Sequence, residues 1–365
     1  MGKMTTMKEK KPAKEPGMNW EKSGTLIHLG KLFLFFTLLL FTGLIYADLV
    51  MTLPEVMKPQ RVYVDGEQVF ITEGVSIYIY SLKDLKLQKK FGKKGEGPRE
   101  FKNSGLGVIL EIGPDTILIT SSGRLSYFTR DGQFIKETRP KYPSIFEFQG
   151  LPGNRFVGTA FTREQKDIFL TINLYNENLE RIKEIHRYCH PFFPRNKLIN
   201  PVNVRGSTLY VYKDKIFFDD ENGAINVLNS QGDMLYSVSP KYDKVKLTKI
   251  HKERYLMFWR TGIKQEYEIF GDRLKFPVVF PFIRNFHVVN DKIYIITHHE
   301  KDNKNEMLIF DLKGKLLKQV FVPLTDVNML NPLLFNYYTI NNDRLYIVRE
   351  NEDKEEWELH AVTLK

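Results

Sequence analysis

The chain carries a single cysteine, Cys189, so no internal disulfide can form, and its 365 residues provide a core large enough to fold without one. No Gly-x-Ser-x-Gly elbow, His-Glu-x-x-His helix or Cys-x-x-Cys pair occurs. Their absence removes the local signatures of α/β-hydrolases, zincins and paired-thiol centres. Catalysis assembled from single residues of separate elements stays open. An excess of charge of one sign is small too. The net +10 falls to +6 beyond residue 47, a mildly basic surface and not a nucleic-acid footprint, so no nucleic-acid partner is expected.

A long apolar run is also missing. The stretch 32–47 (LFLFFTLLLFTGLIYA) has 16 residues, short of the roughly 20 of a spanning helix and nearer a secretory h-region. Residues 1–31 before it hold seven lysines, three glutamates and no Asp or Arg, and read as unstructured. Residues 1–47 are therefore a basic n-region followed by a signal peptide or an N-terminal membrane anchor. Ala47 suits cleavage, Ile45 is large for its position, and Met18 offers a second start. A buried core helix is the bland alternative. No cysteine follows closely, which excludes lipid attachment there. The expected location is the periplasm, the exterior, or the outer face of the cytoplasmic membrane through a tether at 32–47.

What the sequence has in plenty is strand text. Aromatics make up 13%, and they fall in short alternating runs. Six runs (Gln68–Glu73, Asp115–Ser122, Asn154–Phe161, Asp214–Glu221, Asp291–His299 and Asp343–Asn351) are each followed by a partner run (Ser76–Leu82, Arg124–Asp131, Ile168–Asn176, Ala224–Gln231, Glu306–Lys313 and Trp357–Leu364). After each of the first five partners comes a turn signal such as Asp131-Gly132 or Lys313-Gly314, which predicts type I′ hairpins into a fourth strand. An opening strand precedes each pair, for example Arg61–Gly66 and Asn285–Asn290. Four strands every 40–50 residues predict an all-β, six-bladed β-propeller of four-stranded antiparallel blades over residues 48–365.

Two irregularities bear on this. Successive turns lie 48, 46 and 54 residues apart, and then 82. The surplus, about 243–283, reads as an insertion between units 4 and 5. Leu247, Ile250, Leu256, Trp259 and Ile263 have roughly helical spacing, whereas Thr261-Gly262 could turn a hairpin of a degenerate seventh blade. The last unit also lacks a fourth strand, and Leu49–Val56 lacks a partner. Placed together, they close the ring.

The stretch Phe91–Phe101 (FGKKGEGPREF) has three glycines and a proline that no strand tolerates. Its Gly95, Gly97, Pro98, Glu100 and Phe101 resemble the GxGPxEF joint of bacterial exported six-bladed propellers with NHL-type repeats. The text after it, GVILEIGPDTILITSSGRLSYFTRDGQFI, is similar to an NHL blade. The resemblance spans about 48–365, with strong motif text only at this joint. It implies the fold and export, and says almost nothing of a ligand.

In such a ring the joints and the second-to-third turns share one face, which here collects Gly92–Gly105, His186–Arg205, 243–283 and Val322–Phe335. Binding is expected there. The candidate binding residues are Arg99, His190, Arg195, Arg205, Asp219, Asp220 and His298. Cys189 with His186 and His190 suggests a metal, but nearby prolines oppose the helix that would align the histidines. Asp219 and Asp220 sit in an acidic turn that lacks EF-hand spacing. The Gly92–Gly97 loop lacks the Gly-Lys-Ser/Thr ending of a phosphate loop. No catalytic residue, metal ligand or cofactor is assigned, with calcium or zinc left open. The expected function is a monomeric, exported, non-catalytic binding module for a protein, peptide or glycan. Its rival is a metal-dependent hydrolase or lyase at the ring axis, for which the opening strands offer His287 and Asn336 but few carboxylates.

Overall fold

The structure, a computed structural model, describes residues 47–97, 99–102, 107–141, 145–165, 167–189, 198–202, 208–220, 223–240, 242–262, 264–324 and 336–364. These form six four-stranded antiparallel sheets and one two-stranded parallel ribbon, Lys93–Lys94 with Glu100–Phe101. The innermost strand of each sheet is Arg61–Asp65, Ile109–Ile112, Ile145–Leu151, Leu209–Tyr212, Asn285–Val289 and Tyr338–Asn341 in blades 1 to 6. Each neighbours the inner strand of the next blade, and Tyr338–Asn341 returns to Arg61–Asp65. The ring is a six-bladed β-propeller.

Apolar residues of successive blades meet in six buried layers, one at each interface. Between blades 1 and 2 the layer holds Phe70, Ile79, Phe101, Ile117 and Phe128; between blades 5 and 6 it holds Tyr294, Ile309, Tyr338 and Ile347. Middle strands are covered on both sides, which is why their alternation is blurred in sequence, as in Lys304–Asp311 with six consecutive buried residues. Outer strands such as Lys86–Phe91 keep one side in water and read as mixed.

Ring closure follows the sequence expectation. Asp48–Thr52 pairs antiparallel with Glu356–Thr363 and supplies the outer strand of blade 6, with Met51 opposite Leu359. The strand stops at Thr52 and not at Val56, because Pro54 lacks a ladder donor and Val56 N–H turns back onto the Leu53 carbonyl.

The hairpins into the outer strands are not type I′. At Asp131-Gly132 only the glycine has positive φ, 80°, and its N–H closes a turn on the Thr129 carbonyl at 2.9 Å. A bulge between Tyr127 and Phe128 follows. Gly232, Gly314, Leu179 and Leu85 hold the same left-handed position. A type I turn with a left-handed third residue bends the outer strand away, as a twisted blade edge requires. Type I′ geometry appears instead where both central residues are left-handed, at Asn290-Asp291, Asp302-Asn303 and Asn342-Asp343.

The surplus between blades 4 and 5 is helical, and no seventh blade exists among the described residues. Helix α1 (Lys249–Thr261) starts at Thr248, whose hydroxyl accepts the His251 N–H while His251 Nδ1 accepts the Thr248 N–H. Helix α2 (Lys264–Phe270) follows. Trp259 and Phe270 pack on Ile199, and Leu247 and Phe280 on Val202, so the insertion folds together with the joint between blades 3 and 4. Backbone bonds Ile199 N–H to Arg273 and Lys275 N–H to Ile199, each 2.8 Å, fasten the two segments.

Candidate functional site

The glycine-rich joint is built around one carboxylate. Glu100 folds beneath the loop, accepts the Gly97 N–H at 2.9 Å and pairs with Lys93 at 3.3 Å. Those contacts, the Gly97 bond first, hold its carboxyl below the usual range. A Cβ on Gly95 would overlap the same carboxylate, and one on Gly92 (φ 99°) would overlap the Val75 carbonyl, which explains both glycines. Arg124 of blade 2 donates to the carbonyls of Glu100 (2.8 Å) and Glu96 (3.2 Å). Glu96, Lys102, Ser122, Gly123, Arg124 and Arg139 border a cleft of about 230 Å³ beside it. Arg99 has φ 69° and lays its guanidinium over the Phe134 ring, 5.4 Å from the centroid.

Three other candidates read from the sequence lie in hairpins of the same face, apart from this joint. Asp219 accepts the Thr208 N–H at 3.1 Å, and its carbonyl accepts the Tyr188 hydroxyl. Asp220 accepts the Ala224 N–H at 3.0 Å and the Asn226 amide at 3.3 Å, which shapes the hairpin tip. His298 is buried, stacked on Phe280 at 4.2 Å beneath the insertion. His190, Arg195 and Arg205 fall outside the described residues.

The insertion itself presents an unusual surface. Leu198, Ile250, Met257, Ile269 and Val278 are 61–79% exposed. Ile250 and Met257, seven apart, share one side of α1, and the buried Trp259 lies on the opposite side. Residues 242–276 hold nine Lys or Arg against five Asp or Glu. Of the helical spacing and the hairpin that the sequence left open, the structure takes the helix, and within that spaced set Trp259 is buried while Ile250 faces water.

The axis is organised differently. An inner strand leaves one backbone edge without a strand partner, and here a side chain from the preceding blade reaches it or its neighbouring side chain. The Tyr63 hydroxyl accepts the Leu110 N–H at 3.2 Å, and Glu111 accepts the Gly150 N–H at 2.8 Å. Gln149 accepts the Val211 N–H and donates to the Leu209 carbonyl, both at 2.7 Å. Tyr210 Oη lies 2.8 Å from His287 Nδ1, and the Asn285 amide donates to the Tyr338 hydroxyl. Asn341 completes the circuit by donating to the Val64 carbonyl at 2.7 Å. Every blade interface carries one such latch.

Enclosure perturbs these groups. Glu111 keeps some solvent contact but is walled in, and burial, reinforced by Glu147 against the Gly150 N–H, pushes its carboxyl up to about 7. Burial raises Glu147 as well, opposed by the Gln149 amide and the Arg61 charge. His287, held neutral by burial, drops to about 3. Among the described residues no three His, Cys, Asp or Glu side chains gather as a metal site. His287 was legible in sequence, whereas Tyr63, Glu111, Glu147, Gln149, Tyr210 and Tyr338 were not. Their signal is register: Tyr63, Gln149, Tyr210 and His287 each stand two residues before the end of an inner strand.

No protein-family model matches this chain, and no curated protein does. Solved structures do. A Bacteroides fragilis protein described as a candidate exported protein is 11% identical over 87% of this chain and 94% of its own, with a TM-score of 0.52. The WD40 domain of Pan2 from Neurospora crassa is 10% identical over 86% and 95%, with a TM-score of 0.45. At such identity the first likeness speaks for the fold alone, and it agrees with the six sheets described above: this chain is similar in architecture to a known β-propeller, with latches at its axis and a helical insertion on its loop-rich face.

Proposed function

We propose that the chain is an exported, non-catalytic binding module whose loop-rich face takes a protein or peptide partner bearing aliphatic and acidic side chains. The observation that carries this reading is the insertion, where four exposed aliphatic residues (Ile250, Met257, Ile269 and Val278), with Leu198 of the joint it packs on, sit among a surplus of Lys and Arg. Isolated exposed apolar residues are ordinary, but several on one small excursion mark an interaction surface. A glycan would call for aromatic platforms, and the exposed set here is aliphatic. The chain acts as a monomer. Export is supported by the basic leader with its 16-residue apolar run, and by the GxGPxEF joint it shares with exported NHL-type propellers. Cleavage after Ala47 would leave the closing strand whole, since that strand starts at Asp48. Among the described residues no helix is long and apolar enough to cross a membrane.

The test is affinity capture from cells that express the chain, comparing wild type with the double variant Ile250→Glu, Met257→Glu and with Leu85→Glu on the opposite face. Wild type and Leu85→Glu should retain a common partner that the double variant loses and that high salt weakens. Equal capture by all three would sink the assignment of this surface. The rival, a metal-dependent hydrolase or lyase at the axis, is favoured by the enclosed Glu111 and Glu147. Stoichiometric calcium or zinc in elemental mass spectrometry of the dialysed protein would move the reading to it.

A further inference from the structure

Inside the latch circuit a buried hydrogen-bond donor, His287 Nε2, meets no acceptor among the described residues. Tyr210 is acted on electrostatically by Tyr338, Glu147 and Tyr63, so these side chains, drawn from blades 1, 3, 4 and 6, converge at the axis. His287 of blade 5 joins them, its ring 5.3 Å from Tyr210 and 5.0 Å from Tyr338.

The proton of each group can be followed. Among the described residues the Tyr210 hydroxyl meets one partner, His287 Nδ1. A buried phenol keeps its proton and has no other acceptor there, so we assign the hydroxyl as donor and the neutral imidazole the tautomer with a lone pair at Nδ1, which leaves one group unmatched and not two. The imidazole proton is then on Nε2. That atom is buried and meets no acceptor among the described residues. The Tyr338 hydroxyl takes the Asn285 amide as an acceptor, and the Tyr63 hydroxyl takes the Leu110 N–H. Each therefore has its own proton left to give. His287 and Tyr338 are only 5% and 2% exposed, so these are enclosed donors and not a wet surface.

Cationic charge stands near by. Arg61, buried, acts on Tyr63 and Glu147, and Arg284 acts on Tyr338. Two groups oppose an anion: the Glu147 carboxylate, which accepts the Gln149 amide at 3.2 Å, and the Glu111 carboxylate that feels its charge. Burial favours the protonated form of both, and a protonated carboxyl adds a further donor.

We propose that the centre of the propeller axis is a binding site for a small carboxylate, whose oxygens accept from His287 Nε2, Tyr338 Oη and Tyr63 Oη. Two enclosed donors, with the half-buried Tyr63 hydroxyl as a third, call for an acceptor-rich ligand, because a buried donor left unmade is destabilising. A neutral polyol brings as many donors as acceptors and fits this set poorly. The enclosure selects a small acid over a chain terminus. Binding strengthens as pH falls and the Glu111 and Glu147 carboxyls take up protons.

The test is isothermal titration calorimetry on the purified full chain with acetate, succinate, erythritol and a short peptide ending in a free carboxylate. Tyr63→Phe and Tyr338→Phe each remove one donor and keep the ring, and circular dichroism checks their fold. The expected result is saturable binding of one free acid per chain, no binding of erythritol, and affinity about tenfold lower in each variant, as for one hydrogen bond to a charged group. Binding should tighten from pH 8 to pH 6 (about one decade or less), because the Glu111 carboxyl, raised to about 7, takes up its proton across that window. Failure of every free acid to bind, unchanged affinity in both variants, or binding of the peptide alone would each overturn the proposal. Loss of partner capture by the insertion variant would leave this outcome untouched, so the two assignments fail separately.

Discussion

Replacing Glu111 by Gln should change not how stable the propeller is at one pH but how its stability depends on pH. Glu111 ties blade 2 to the Gly150 N–H of blade 3, and enclosure moves its carboxyl from the ordinary 4.5 to about 7. The native chain thus binds this proton more tightly than the unfolded chain. Stability is intact below pH 4.5, falls as pH rises toward 7, and is level beyond. A displacement of about 2.5 pH units, at about 1.4 kcal/mol each, gives a decline of about 3 kcal/mol as an upper bound. The glutamine has no such titration. It keeps one oxygen for the Gly150 N–H and forfeits about 1 kcal/mol through a poorer bond. Wild type should therefore be the more stable by about 1 kcal/mol near pH 4.5, and the variant by up to about 2 kcal/mol near pH 8. Glu147 titrates in both proteins, so the difference between them reports Glu111 together with its coupling to Glu147. Urea unfolding followed by tryptophan fluorescence in half-unit pH steps measures both curves. Curves that run parallel would refute the reasoning, because the carboxyl would then titrate alike in both states.

Three further outcomes follow from the geometry. Gly92→Ala should destabilise by more than Gly95→Ala, about 3 against about 1 kcal/mol in chemical denaturation, because the first meets backbone at positive φ and the second only a movable carboxylate. Met51→Asp, in the buried layer between blades 6 and 1, should lower stability by about 3 kcal/mol or more and raise light scattering, as the closing strand detaches and leaves an open edge. Arg124→Met should cost about 2 kcal/mol by leaving the Glu96 and Glu100 carbonyls unpaired, and limited proteolysis should then cut first within 92–102.

The regular blades were legible because each strand leaves its own mark. Gln68–Glu73 matches the expected run to the residue, and the ends of Arg344–Asn351 and Asn285–Val289 lie within one residue of it. Turn residues punctuate every blade, and period-two patterning survives wherever one side meets water. The turn type was not legible. Asp-Gly fits both a type I′ turn and a type I turn with a left-handed glycine, and the twist of the outer strand chooses between them. Nor was the orientation of α1, since Ile250 and Trp259 carry similar hydrophobic weight and only the docking of Ile199 decides which is buried. The axial groups stayed hidden for a different reason. Tyr63, Glu111, Gln149 and Tyr210 act across blade boundaries, on partners dozens of residues away, and nothing local distinguishes them from ordinary strand residues.

The pairing of Asp48–Thr52 with Glu356–Thr363 sets an order of events. The first strand of the ring has no sheet to join until the last strand exists, so closure waits for Glu356–Thr363 to be made and has the greatest sequence separation among the described strand pairings. Blades 1 to 5 are complete from local hairpins long before. A chain caught between these stages is a string of sheets with two unmatched ends and is not yet a circle. Until Asp48–Thr52 meets Glu356–Thr363 the edge of blade 6 stays open, and the circle is tied only by that last pairing.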